Sequence, residues 1–448
     1  MRNKYLSIAL LFLYLSGFTC LSFAIGQSLP ESKTRAWLNQ TVGFALTKVA
    51  DNISPVDGSP GAVIAARSRS NPDYYYHWVR DAALAIDSMI DIYKSSTNKK
   101  QKELIRKKVF EYLDFSTRIQ NVTTQTDLGE PKFNVNGSVY NDPWARPQND
   151  GPALRAISLI HWARILIANG EDAVVKEKMY EARLPAASPI KKDLEYVSHH
   201  WKDASFDIWE EVRGTHFYTL MVARRAMLEG AAFASQLGDD GAARWYSLQG
   251  KEIELELQQF WDPARGYFVA TLNRDGGIDY KESNLDSSVL LGLLHGDMHD
   301  GFLSWDDPRV TVTIQKVIQI FSEIYPINHR TEIPGVAIGR YPEDRYSGTD
   351  FTGGNPWPIC TLAVAESLYR YAATVAVKGN VQAAQEISDY ADLFVERVRY
   401  HAYKDGSLSE QMNRYTGYMQ SASDLTWNYA ALLTTRTSVL KLSGNNGT

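Results

Sequence analysis

The sequence predicts an all-α, single-domain fold in which an inner ring of helices is wrapped by an outer ring. Three observations point there. About twelve segments carry apolar residues at helical spacing. Segments that are apolar on most sides tend to alternate with segments that are apolar along one stripe. No Pro/Ser/Gly-rich linker and no low-complexity tract divides the chain, although 448 residues would permit two or three domains.

The chain opens on a segment that does not belong to this fold. Arg2 and Lys4 precede an apolar run from Leu6 to Phe18, and Ser22-Phe23-Ala24 places small residues at cleavage-site spacing. This is the pattern of a secretory signal peptide over residues 1–24, the run being short for a bilayer span. A secreted or periplasmic protein is therefore expected, with no membrane association after cleavage. Losing the segment moves the formal net charge from −5 to −7. No block of Lys and Arg suggests a nucleic-acid partner, and a neutral ligand suits this surface better. Only Cys20 and Cys360 occur, so the mature chain has no internal disulfide and must be held by packing. Asn-x-Ser/Thr triplets begin at Asn39, Asn52, Asn121, Asn136 and Asn446.

Two segments show the two kinds of helix. Residues 101–120 set Leu104, Ile105, Val109, Phe110 and Leu113 along one stripe among charged residues, as an outer helix does. Residues 151–169 are apolar nearly all round, with Pro152 in the first turn and Gly170 at the end, as a buried helix is. Helices are expected near 32–49, 79–94, 101–120, 150–169, 190–202, 212–237, 240–260, 285–294, 307–324, 355–378, 381–401 and 421–439. The loops between them hold Trp, Tyr, Arg and carboxylates, in the runs 71–78, 130–133, 141–147, 206–209 and 339–344. Loops on a rigid scaffold are where chemistry concentrates.

That composition suits a sugar site, which needs flat rings for C–H faces and polar groups for the hydroxyl rim. Aromatics make up 12% of the chain, including 11 tryptophans. Trp162 and Trp245, inside helical segments, read as core; Trp78, Trp144 and Trp209 lie beside charged residues in the loops. Phe206-Asp-Ile-Trp-Glu-Glu-Val212 is the sharpest acidic segment, although acids at a helix start are also explained by the helix dipole. The second is Ser407-Leu-Ser-Glu-Gln411, which is equally compatible with an ordinary surface loop. Glycoside hydrolysis needs two such carboxyls, one protonated and one ionised. Zinc, nucleotide, nucleophile-elbow and EF-hand motifs are all missing, so neither a metal nor a cofactor is expected.

Taken together, these residues resemble the glucoamylases, the α-glucan exo-hydrolases of glycoside hydrolase family fifteen. The resemblance rests on Asp73–Asp81, Gly129–Val135, Arg146–Arg155, Phe206–Val212, Gly339–Asp344, Asn355–Trp357, Leu408–Gln411 and Asp424–Trp427, eight motifs in order across nearly the whole mature chain. It implies an (α/α)₆ barrel with its site at the mouth of the inner helices. It implies Glu210 as general acid and Glu410 as general base. Arg80 and Asp81 match the pair that holds the terminal glucose, and Tyr74, Trp78, Trp144 and Trp209 match the pocket walls. Glu211 and Arg340 match residues of the first two subsites, with Asp344 supporting Arg340. Glu210 is expected to keep its proton near working pH and Glu410 to stay ionised. The implied partner is an α-glucan oligosaccharide or polysaccharide such as starch or glycogen, acted on by a monomer. A relative acting on α-1,6 glucan or trehalose, and a non-catalytic glycan-binding protein, are the alternatives. Asn149, the run 213–216 and a longer loop at 345–354 depart from the family pattern near the pocket rim.

Overall fold

The computed structural model describes residues 32–330 and 332–442, so the segment read as a signal peptide lies outside the described residues. Thirteen α-helices form within them: α1 (Lys33–Asp51), α2 (Val79–Ser95), α3 (Lys99–Ile119), α4 (Asp150–Ala168), α5 (Asp172–Lys178), α6 (Pro189–His200) and α7 (Phe217–Gln236), then α8 (Asp240–Gln258), α9 (Ser288–Gly296), α10 (Pro308–Ile324), α11 (Pro358–Val377), α12 (Val381–His401) and α13 (Thr426–Leu442). Six of them close a ring: α2 packs on α4, α4 on α7, α7 on α9, α9 on α11, α11 on α13, and α13 back on α2. Outside it, α1 packs on α13, α3 on α2, α6 on α4, α8 on α7 and α12 on α11, while α10 reaches α11. The ring of six inside six is the (α/α)₆ barrel.

Burial follows the sequence pattern. In the inner helix α4, 14 of 19 residues are buried; in the outer helix α3, 7 of 21 are. A helix with a continuous apolar surface can be satisfied only between neighbours on several sides, whereas a single stripe is satisfied by one layer. Polar groups carried into this core arrive in pairs: Arg155 of α4 makes a two-bond ion pair with Asp193 of α6, at 2.8 and 2.6 Å.

The two rings also differ at their N-termini. Five of the six outer helices, α1, α3, α8, α10 and α12, are capped by the side chains of Ser32, Asn98, Asp239, Asp307 and Asn380; the sixth, α6, takes no cap from Ser188. No side-chain cap comes from Trp78, Asn149, His216, Ser287 or Trp357, which precede inner helices α2, α4, α7, α9 and α11. The positive ends of the inner helices are thus left for groups brought by the loops above them. The opposite end of the ring holds a second cavity of about 400 Å³, lined by ion pairs around His161, which bridges Asp87 at 2.6 Å and Glu229 at 3.0 Å.

Several expectations need correction. The segment 212–237 is not all helix: Val212–His216 is strand β4, and α7 starts at Phe217. Likewise Met419–Ser423 is a strand, and Asn355-Pro356-Trp357 is loop ahead of α11. The short helix α5 and the small strands, among them the pairs β1 (His77–Trp78) with β2 (Lys132–Phe133) and β5 (Trp261–Asp262) with β6 (Tyr267–Phe268), were not foreseen, since two to seven residues leave too little periodicity to read. Trp245 is not core; it is 39% exposed on the outer ring, beside His199. Asn52 of the second triplet is buried and donates to Thr426 Oγ1, so the folded chain does not present it.

Candidate active site

The loops that enter five of the six inner helices, all but α9, contribute to one cavity of about 560 Å³ at the N-terminal mouth of the ring. Of the site residues expected from sequence, Tyr74, Trp78, Arg80, Asp81, Trp144, Trp209, Glu210, Glu211, Arg340 and Glu410 line it. Asp344 does not. It lies behind Arg340, accepting from Nε and Nη2 at 2.8 and 2.6 Å, a two-bond fork that fixes the guanidinium.

Glu210 stands on a hairpin, not at a helix start. Strands β3 (Ser205–Phe206) and β4 pair antiparallel, and residues 207–211 form the turn between them. Asp207 holds that turn: its Oδ1 accepts from the Glu211 and Val212 N–H groups at 2.8 and 3.1 Å. Glu210 itself adopts φ 65°, a left-handed conformation that costs a non-glycine residue of order 1 kcal/mol. Strand β7 (Thr271–Gly277) covers β4, and Gly277 permits it, since a Cβ there would sit 2.0 Å from Glu211 O. The helix-dipole explanation of the paired acids therefore fails, and local strain aims Glu210 into the cavity.

The Glu210 carboxyl is oriented through one oxygen. Trp78 Nε1 and Gln148 Nε2 donate to Oε1 at 2.8 and 2.9 Å. Gln148 also accepts from Arg80, which pairs with Asp150 at 2.8 Å. Arg80 and Asp81 occupy the first turn of α2, and burial pushes the Asp81 carboxyl up to about 6 despite the Arg80 charge.

Glu410 lies in strand β8 (Ser409–Met412), paired with β9 (Met419–Ser423), and is fully buried at the edge of the cavity. Its Oε2 accepts from Gln411 Nε2 at 3.0 Å and from the Ser421 hydroxyl, while Oε1 is buried without a full hydrogen bond. Burial pushes this carboxyl up to about 7, against the pull of Ser421, Tyr74 and the Arg340 charge. The expectation that Glu410 stays ionised thus holds only above neutrality in the site as it stands. Tyr74 shares its hydroxyl with Tyr346 at 3.0 Å.

The aromatic walls are tied to charges. Trp209 Nε1 donates to Asp286 at 2.9 Å, and Glu211 bridges Arg340 at 2.8 Å and the Tyr341 hydroxyl at 2.7 Å. Residues beyond those named from sequence also belong here. Lys132 places its ammonium 3.2 Å from the Trp144 ring centre and 3.9 Å from that of Tyr140, and burial lowers its pKa to about 8. Gln148, Tyr346, Trp357 and Ser421 complete the set. A lysine inside an aromatic loop was a legible signal for Lys132, and Gln148 falls within the Arg146–Arg155 motif; Ser421 carries none. At the far end, Trp427 lines both this cavity and the one beyond it, separating them.

The closed helical double ring thus carries two carboxylates among edge-to-face aromatics at its mouth, an arrangement suited to binding and cleaving a glycan. Residues 43–437 match the model of glycosyl hydrolases family 15, and the chain belongs to that family. It is 36% identical to a glucoamylase of Blastobotrys adeninivorans, over 87% of this chain and 69% of that one. It is 35% identical to a probable glucoamylase of Schizosaccharomyces pombe, over 90% and 91% of the two chains. Among solved structures, the family 15 glucoamylase from Hypocrea jecorina superposes with a TM-score of 0.82 at 29% identity, covering 92% of this chain and 73% of that one. The protein is a glycoside hydrolase of the glucoamylase type.

Proposed function

We propose that the protein is an exo-acting, inverting hydrolase that releases β-D-glucose from the non-reducing ends of α-1,4-linked glucans. The observation that carries this reading is that Glu210 and Glu410, on two separate hairpins, line one cavity, with Trp427 between it and the cavity beyond. A cavity open at one end admits chain termini and excludes internal segments. Arg80 and Asp81 would hold hydroxyls of the terminal glucose, and Trp78, Trp144 and Trp209 would wall it. Arg340 and Glu211 would meet the next unit.

In this mechanism Glu210 gives its proton to the glycosidic oxygen as the C1–O bond breaks, and the leaving chain departs neutral. Glu410 takes a proton from a water attacking C1 from the opposite face, so both carboxyls end with exchanged protonation. The electron-rich Tyr74 ring, 5.6 Å from Trp78, would face the oxocarbenium-like transition state. We also propose export after removal of residues 1–24, action as a monomer, and a single catalytic domain over residues 25–448. Proton NMR in the first minutes of maltoheptaose digestion tests the mechanism: the first glucose should be the β anomer. Initial α-glucose would mean a covalent intermediate and would overturn the assignment of Glu410 as base.

A further inference from the structure

Exposed apolar side chains scattered singly over a surface are ordinary. Phe351 is not placed that way. It is 70% exposed, yet it lines the cavity that holds Glu210 and Glu410. It also ends a row of rings. Trp209 and Trp357 stand 5.7 Å apart between centres, Trp357 and Tyr346 6.4 Å, and Tyr346 and Phe351 6.1 Å. All four line the cavity, and exposure rises along the row: Trp209 and Trp357 are buried, Tyr346 is half-buried and Phe351 faces solvent. The Arg340 guanidinium lies 5.5, 5.5 and 5.2 Å from the first three ring centres. Phe351 is one ring further out, at the rim.

The ring belongs to the loop 345–354, one of the stretches that depart from the family pattern. That loop is closed at its base, where the Gly353 N–H donates to Arg345 O at 2.9 Å and the Gly354 N–H to Asp344 O at 2.7 Å. Hydrogen bonds also flank the phenylalanine. The Ser347 N–H donates to Asp350 O at 2.9 Å, and Asp350 Oδ1 accepts from the Thr352 N–H and hydroxyl at 3.0 and 2.6 Å. Gln420 of β9 donates to Ser347 O at 3.0 Å, tying the loop to the hairpin that bears Glu410. A ring on such a base loses little freedom when a ligand covers it.

We propose that Phe351 is a specificity-determining residue, its ring a platform for the glucose units of an α-glucan that lie beyond the two nearest the acids. The enzyme then favours long chains over maltose; this rests on the exo-acting reading above. The chemistry of the ring selects what it meets. Phenylalanine has no hydrogen-bonding group, so it recognises an apolar face, and the C–H face of a pyranose is the one an α-glucan carries. Maltose bound across the acids fills the terminal-glucose site and the next, beside Arg340 and Glu211, and ends before the rim. A longer chain continues out of the cavity past Phe351. Covering the exposed ring removes apolar area from water, a gain open only to the longer chain.

Steady-state kinetics of Phe351→Ala on maltose and maltoheptaose tests this. The ratio of kcat/KM for maltoheptaose to that for maltose should fall about fivefold, through a higher KM for maltoheptaose. A ratio is unaffected by any unfolded fraction of the variant. Phe351→Trp, which keeps a flat ring, should keep the wild-type ratio. An unchanged ratio in Phe351→Ala, or equal loss on both substrates, overturns the proposal, as does a wild type with no preference for maltoheptaose. Binding without turnover separates the platform from the proposed activity. By titration calorimetry, Glu210→Gln protein should bind maltoheptaose about fivefold more tightly than Glu210→Gln/Phe351→Ala. Equal affinities overturn the platform whatever the turnover. A wild type that releases no glucose from either substrate, with that fivefold difference intact, would strike the activity and leave the platform standing.

Discussion

Replacing Glu410 by glutamine should abolish turnover and make the protein more stable above neutral pH. The reasoning is electrostatic. A carboxyl whose pKa rises from 4.5 to about 7 on folding, through burial, is a group whose ionised form the fold disfavours. At about 1.4 kcal/mol for each pH unit, the ionised carboxylate costs the native state roughly 3 kcal/mol. The sign runs one way. Below about pH 4 both folded and unfolded chains hold the proton, and nothing is lost. Between 4.5 and 7 the native state binds more protons than the unfolded one, so stability falls as pH rises; above 7 the full penalty is present. Glutamine cannot ionise, and its amide oxygen can still accept from Ser421 and Gln411.

With an unfolding entropy of about 2.1 cal/mol/K per residue over roughly 410 described residues, 3 kcal/mol corresponds to a Tm increase of about 3–4 °C. Scanning calorimetry of Glu410→Gln and wild type at pH 4 and pH 8 reads it directly. The difference should be near zero at pH 4 and positive at pH 8. A variant that melts several degrees lower at pH 8, or shows the same difference at both pH values, would refute the reasoning. In that case Glu410 would be a structural group and not a strained one kept for chemistry.

Glu210→Gln should lower turnover on maltoheptaose by about 10²–10⁴-fold while leaving Tm unchanged, because the amide oxygen still accepts from Trp78 and Gln148; steady-state kinetics and calorimetry check both halves. Arg155→Met should lower stability by about 3–5 kcal/mol in urea unfolding, since it leaves Asp193 buried without its partner. Reducing agent should not shift the Tm of the exported chain, whose remaining thiol, Cys360, is buried and donates to no disulfide; a downward shift would reveal an intermolecular bridge. Intact-mass analysis of that chain should place its first residue near Ile25, and retention of residues 1–24 would overturn the export assignment.

How far the sequence carried these conclusions depended on periodicity. All twelve expected helices exist, because each repeats its apolar spacing over two turns or more. The ring order was legible in kind, from α4 apolar all round against α3 with one stripe. What escaped was everything too short to repeat: α5, and the strand pairs that carry both glutamates. That omission misplaced Glu210 and Glu211 at a helix start, where the dipole would have explained them. On a hairpin tip with φ 65° no such explanation remains, and the positions of the acids call for a ligand.

The strain and burial at the two acids also explain the uncapped inner helices. A Ser, Asp or Asn cap contributes about 1 kcal/mol to a helix, and the outer ring takes it at five starts. Five inner helices forgo it at the end that faces the cavity. There the residues before the helix are Trp78, Asn149, His216, Ser287 and Trp357, two of them walls of the cavity. A small polar cap at Trp78 would satisfy α2 better and would remove the indole N–H that holds Glu210. The same position cannot serve both purposes, so the chain stabilises its outer ring locally and holds its inner ring by burial. This is why the inner helices must be apolar on nearly every side, the pattern from which the barrel was first readable.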